Sequence, residues 1–177
     1  MRFRRVAASV AVVAIAVTVS VAGLAACSGG GNSHDPYIPA GKRHAAPALS
    51  GKDLVGQQVD IARSRGKTTV VNFWASDCSP CRAESAALRQ VALTSPGTAF
   101  YGVDVEESKT NGLSFARDHN LPYPSVHDGL SEVATAWVVS ALPQTFIVDA
   151  SGKVAARIFG AVTEKELADL IARVAAT

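Results

Sequence analysis

Two cysteines, Cys78 and Cys81, stand two residues apart in the run Ser76-Asp77-Cys78-Ser79-Pro80-Cys81-Arg82. On the first turn of a helix, that spacing brings the sulfurs close enough for a disulfide without large backbone movement. There Cys78 lies among unpaired backbone N–H groups at the positive end of the dipole, which stabilises a thiolate. A stabilised thiolate attacks disulfides and also leaves readily from a mixed disulfide. The chemistry indicated is thiol–disulfide exchange. Cys81, Glu84, Leu88 and Val91 then recur at i, i+3, i+7 and i+10, one face of a helix. Leu88 and Val91 mark that face as buried, so Glu84 is expected to point inward, one turn beneath Cys81. Desolvation would raise its pKa and let it exchange a proton with the Cys81 thiol. The alternative for Glu84 is an exposed first-turn acid favoured by the helix dipole. A structural zinc would need a second pair of Cys or His ligands beside the cysteines, and the sequence offers none. No metal and no cofactor are expected.

The elements that must position these residues can be read around them. Thr68 to Trp74 is β-branched and aromatic, the composition of a strand covered on both faces. Ser76 or Asp77 is the expected N-cap of the helix that follows, which ends near Thr94. After the turn Ser95-Pro96-Gly97, Ala99 to Val105 reads as a second strand. The three form a βαβ unit, hence a parallel pair with a right-handed crossover. Glu106 to Asn120 is a weaker helix with Leu113, Phe115 and Ala116 inward and Gly112 against it. A short strand at Ser125 to His127 follows, then a short helix on Leu130, Val133, Ala134 and Trp137. Pro143 opens a strand ending at Asp149, and Ala150-Ser151-Gly152-Lys153 turns it into Val154 to Phe159. Thr163-Glu164-Lys165-Glu166 is a capping box, and Leu167, Leu170, Ile171 and Val174 give an amphipathic last helix. Upstream, Leu49 to Ala62 suggests a hairpin laid against the sheet edge. His119 and His127 lack a ligand set and are not expected to bind metal.

Trp74-Ala75-Ser76-Asp77-Cys78-Ser79-Pro80-Cys81-Arg82 resembles the active-site turn of the thioredoxin superfamily. The Asn72-Phe73-Trp74 lead-in and Glu84, three residues after the second cysteine, resemble its TlpA/ResA branch of exported, membrane-tethered thiol–disulfide oxidoreductases. The resemblance spans roughly Leu49 to Ala176. It implies an α/β, thioredoxin-like fold: a central mixed sheet flanked by helices, with an N-terminal hairpin and a helical insertion after the βαβ unit. It also implies a cis proline facing the cysteines at Leu142-Pro143, where the backbone of Leu142 would pair with an extended substrate. Trp74, Leu142 and Pro143 are the implied substrate contacts. The implied partners are protein thiols or disulfides and a membrane thiol–disulfide relay protein, met by a monomer, with cytochrome c maturation among the branch's roles. Two positions depart from thioredoxin. Asn72 stands where thioredoxin has its buried Asp, with Glu84 the candidate substitute. Asp77 stands where most relatives carry Trp, and an acid beside Cys78 opposes its thiolate. Arg82 could favour that thiolate, although a solvated role suits it as well. Direction is open: reductase, oxidase and isomerase share this fold. A peroxide reductase would need a single reactive cysteine in a Pro-rich, Thr-containing loop, and a copper carrier wider Cys spacing with a His ligand. The alternative from another class is a lipoprotein whose disulfide serves stability alone.

The 177 residues suit one domain preceded by a leader. Arg2, Arg4 and Arg5 precede an apolar core from Val6 to Ala22, and Leu24-Ala25-Ala26-Cys27 resembles a bacterial lipobox. The organisation expected is a signal peptide over 1–27, a flexible tether over 28–48 and a thioredoxin-like domain over 49–177. Cys27 is the expected lipidation site, tethering the protein to the outer face of the cell membrane. An ordinary signal peptide and an uncleaved anchor are the alternatives. Lipid on Cys27 leaves Cys78 and Cys81 as a closed pair in an oxidising compartment. Three of the 17 Lys and Arg residues precede Cys27, which leaves 14 against 15 acids, about −1, in the rest. With no basic patch left, nucleic-acid binding is not expected.

Overall fold

The computed structural model describes residues 35–105 and 108–177. The expected signal peptide over 1–27, with Cys27, and residues 28–34 lie outside the described residues. In chain order the elements are β1 (Ser50–Lys52), β2 (Gln58–Asp60), β3 (Thr69–Trp74), α1 (Ser79–Thr94), β4 (Ala99–Val105) and α2 (Lys109–Asp118). They continue as β5 (Ser125–Asp128), α3 (Glu132–Ala136), β6 (Gln144–Val148), β7 (Val154–Phe159) and α4 (Glu164–Ala175). Every residue of β3 is buried, as its β-branched and aromatic composition predicts for a central strand. Val71 pairs with Tyr101 of β4 in parallel and with Phe146 of β6 in antiparallel. β5 extends the sheet beside β4 and β7 beside β6, giving the order β5-β4-β3-β6-β7. This is the mixed sheet flanked by helices that the resemblance implied.

Side chains along β3 alternate between two cores. Val70 packs with Leu88 and Val91 of α1 and with Leu167, Ile171 and Val174 of α4. Val71 and Phe73 pack on the other face with Phe146, Trp137 and Leu49. Fully burying one such side chain contributes about 1.5–3 kcal/mol, so packing rather than helix propensity holds α1 against the sheet. The capping box of α4 is present, with Thr163 N–H donating to Glu166 at 3.0 Å and Glu166 N–H to Thr163 Oγ1 at 3.3 Å. β1 and β2 form the expected hairpin, which lies against β5 through the Asp53–Val126 bridge and Leu54 N–H donating to Ser125 O at 2.9 Å.

Three expectations change. The N-cap of α1 is Cys78, neither Ser76 nor Asp77; its Sγ accepts from Cys81 N–H at 3.2 Å. Pro80 fits the first turn because its missing N–H is not needed there. Leu130 is 84 % exposed rather than inward, because α3 starts later. The Asp128 carboxylate accepts from Val133 N–H at 3.1 Å and Ala134 N–H at 2.8 Å, which pulls the start of the helix past Leu130.

The third change concerns the expected tether over 28–48, because residues 35–48 are part of the fold. Ile38 N–H donates to Ala155 O at 2.7 Å, Arg157 N–H to Pro36 O at 3.0 Å and Val154 N–H to His44 O at 2.9 Å, so this segment pairs with the edge of β7. Arg43 is buried and pins it. Its guanidinium donates to Asp149 at 3.0 Å, Tyr37 OH at 2.9 Å, Thr177 Oγ1 at 3.0 Å and Ile38 O at 2.9 Å. Such a strap needs no hydrophobic period, since backbone pairing and one cation hold it.

Candidate active site

The end of β3 delivers the chain to the redox turn, and α1 begins there. Cys78 and Cys81 are joined in a disulfide with Cα atoms 5.3 Å apart. Cys78 is half-buried at the helix N-terminus, whereas Cys81 is 2 % exposed. The buried residues of α1 are Cys81, Glu84, Ser85, Leu88 and Val91, so the stripe read from the sequence is present and Ser85 joins it. The disulfide rests on a small apolar cluster of Leu54, Trp74 and Phe115, with Leu113, Ala116, Leu121 and Leu142 around it.

Glu84 lies inward and is 2 % exposed. Its Oε1 accepts from Asn72 Nδ2 at 2.7 Å and its Oε2 from Val162 N–H at 3.0 Å. Burial pushes its pKa up to about 7, against the lowering effect of those two donors. Desolvation wins because two hydrogen bonds do not replace the hydration of a carboxylate. The buried Tyr123 hydroxyl is pushed well above its usual range by its own desolvation first and then by the charge of Glu84. Asn72 also donates to Thr145 Oγ1 at 2.9 Å, which ties β3 to β6 two residues beyond Pro143.

The Leu142–Pro143 peptide bond is cis. Pro143 is buried, its carbonyl accepts from Gly160 N–H at 3.0 Å, and half-buried Leu142 packs in the cluster beneath Cys78. Trp74 does not fit its implied role as a substrate contact. It is 1 % exposed and stacks on Phe115 with ring centroids 4.5 Å apart, so it forms the floor of the site. Phe115 comes from α2, the helical insertion, which thereby supports the redox turn from below.

Three contributors were missed or misjudged in the sequence. Ser85 is four residues after Cys81, on the same helical face, a spacing that could have flagged it. His119 is engaged within the fold: its Nδ1 lies 2.7 Å from Ser85 Oγ and its ring 4.3 Å from that of Phe115. His127 does have a carboxylate at hand, with its Nδ1 2.9 Å from Asp104 on the neighbouring strand. Pairing across parallel strands gives no local sequence signal.

A thioredoxin-like sheet with a two-residue-spaced disulfide at a helix N-terminus, and a cis proline whose preceding Leu142 packs on the cluster that holds Cys81, defines a thiol–disulfide oxidoreductase. The chain belongs to the AhpC/TSA family, whose model matches residues 43–157. It is 33 % identical over 124 residues to the thiol-disulfide oxidoreductase ResA of Geobacillus thermodenitrificans, covering 69 % of this chain and 71 % of that one. It is 35 % identical over 124 residues to the thiol:disulfide interchange protein DsbE homolog of Paracoccus denitrificans, covering 68 % of each. A crystal structure of a thioredoxin-family thiol:disulfide interchange protein from Chlorobium tepidum superposes with a TM-score of 0.70 at 28 % identity. That match covers 75 % of this chain and 96 % of the other.

Proposed function

We propose that Cys78 is the nucleophile and Cys81 the resolving thiol of exchange with protein disulfides, with Glu84 as the proton partner of Cys81. The observation that carries this reading is the disulfide set across the first turn of α1, half-buried Cys78 outermost, above a buried carboxyl. In the reducing direction the Cys78 thiolate attacks a substrate disulfide, whose S–S bond breaks to release one substrate thiolate. Cys81 then passes its proton to the Glu84 carboxylate and attacks Cys78 Sγ. The mixed disulfide breaks, the second substrate sulfur leaves as a thiolate, and the Cys78–Cys81 bond forms. Two electrons pass from protein to substrate. The released thiolates take up two protons, one by way of Glu84. The oxidising direction is the same path reversed, and the reduction potential of the pair selects between them.

The backbone beside Leu142 and cis-Pro143 is the edge on which an extended substrate lies. Lipid on Cys27 holds the domain at the outer face of the membrane, within reach of a membrane relay for electrons. The leader and the Leu24-Ala25-Ala26-Cys27 run support that placement, and the branch resemblance supports reduction during cytochrome c maturation. Trapping tests the assignment. A Cys81→Ser variant of the full chain should accumulate mixed disulfides with partner proteins, and Cys78→Ser should not. Equal trapping by both variants overturns the order of the thiols.

A further inference from the structure

The sequence places an acid, Asp77, directly before Cys78, where it opposes the thiolate that the proposed chemistry requires. The structure holds a cation in the same turn. The Arg82 guanidinium donates to the carbonyl of Ser76, two residues ahead of Cys78. It also lies over the ring of Phe115, 5.9 Å from the centroid, on the helix inserted after β4. The backbone of Arg82 is secured too. Its N–H donates to Cys78 O at 3.2 Å, and its carbonyl accepts from Ser85 Oγ at 2.8 Å. Because a hydroxyl has one proton and Ser85 gives it to that carbonyl, the contact with His119 runs the other way. His119 Nδ1–H is the donor to Ser85 Oγ, at 2.7 Å. Arg82 is thus held at its head by Phe115 of α2 and at its carbonyl by Ser85 of its own helix, which in turn touches His119 just after α2.

We propose that Arg82 is a positioning residue of the redox turn: braced on Phe115 and Ser76, it fixes a positive charge beside Cys78 that offsets Asp77. This rests on the thiol–disulfide reading of the site. The planar guanidinium is suited to the task, because one face can lie on a ring while the edge donates to a carbonyl. Among the described residues, the ionisable groups lining the same hollow as Ser76 and Arg82 are Asp118, at the end of α2, and His119 just after it, with Asp77 next in the chain to Ser76 and Cys81 and Glu84 buried on α1. Arg82 is therefore the permanent cation of this set.

The test uses the reduced full chain and the rate of Cys78 alkylation by iodoacetamide between pH 5 and pH 9. Arg82→Gln should slow alkylation about two- to fivefold on the acidic side, the size expected for one partly solvated charge, and leave the alkaline plateau unchanged. Arg82→Lys keeps the charge but not the fork, so its profile should lie between wild type and Arg82→Gln. Ser85→Ala, which changes no charge, should shift the profile in the same direction by less, and it covers the case that the Arg82 variants fold poorly. An Arg82→Gln profile superimposable on wild type overturns the proposal, as does an equal shift for Gln and Lys. Wild-type protein that exchanges with no protein disulfide would instead sink the reading of the site as a whole.

Discussion

At the scale of single residues, Glu84 carries the strongest pH dependence in the site. An ordinary glutamate loses its proton near 4.5, and burial moves Glu84 to about 7. Between those values the folded protein holds a proton that the unfolded chain has released. Stability therefore falls as pH rises from about 4.5 to about 7 and levels off above, a span on the order of 3 kcal/mol. Glu84→Gln removes that slope. Gln offers one acceptor oxygen to the two donors, Asn72 Nδ2 and Val162 N–H, so the variant should be the less stable protein at pH 5. The gap should then narrow, or reverse, by pH 8 in urea unfolding of the oxidised proteins. The same substitution should displace the pH dependence of Cys78–Cys81 reduction. Superimposable thiol titrations of the two proteins would reduce Glu84 to a structural acid.

At the scale of elements, the strap over residues 35–48 is an addition to the fold that depends on one side chain. Arg43 donates to four groups from a buried position, among them Asp149 and Thr177. Arg43→Ala leaves those acceptors without their donor and should destabilise the domain by about 2–4 kcal/mol. Proteolysis should then begin within residues 35–48; protection equal to wild type would show that backbone pairing alone suffices. This is also where sequence reading stops. The periodic signals behaved as expected: the apolar strand β3, the helical phase of Glu84 with Leu88 and Val91, and the capping box at Thr163. What could not be read was pairing between distant positions, such as Arg43 with Asp149, His119 with Ser85 and His127 with Asp104. Asp128 capping α3 from outside the helix, and Cys78 serving as both N-cap and redox residue, are decided by local geometry that residue types leave open.

At the scale of the whole molecule, residues 35–48 belong to the same compact unit as the domain expected from Leu49 onward. If Cys27 is lipidated as proposed, intact-protein mass spectrometry should find the added mass of diacylglycerol in the native chain and lose it in Cys27→Ser. An unmodified N-terminus downstream of residue 27 in native protein would refute the anchor.

Both long sides of the five-stranded sheet are closed, β7 by the strap and β5 by the Asp53–Leu54 corner of the hairpin. An unpaired strand edge recruits any extended chain it meets, whatever that chain contains. An enzyme whose clients present cysteines in loose, unfolded segments would be fouled by such edges. Non-productive pairing would compete with every turnover and seed co-aggregation. If clients bind at Leu142 and cis-Pro143 as proposed, sealed flanks direct their backbone pairing to that corner and away from the outer strands.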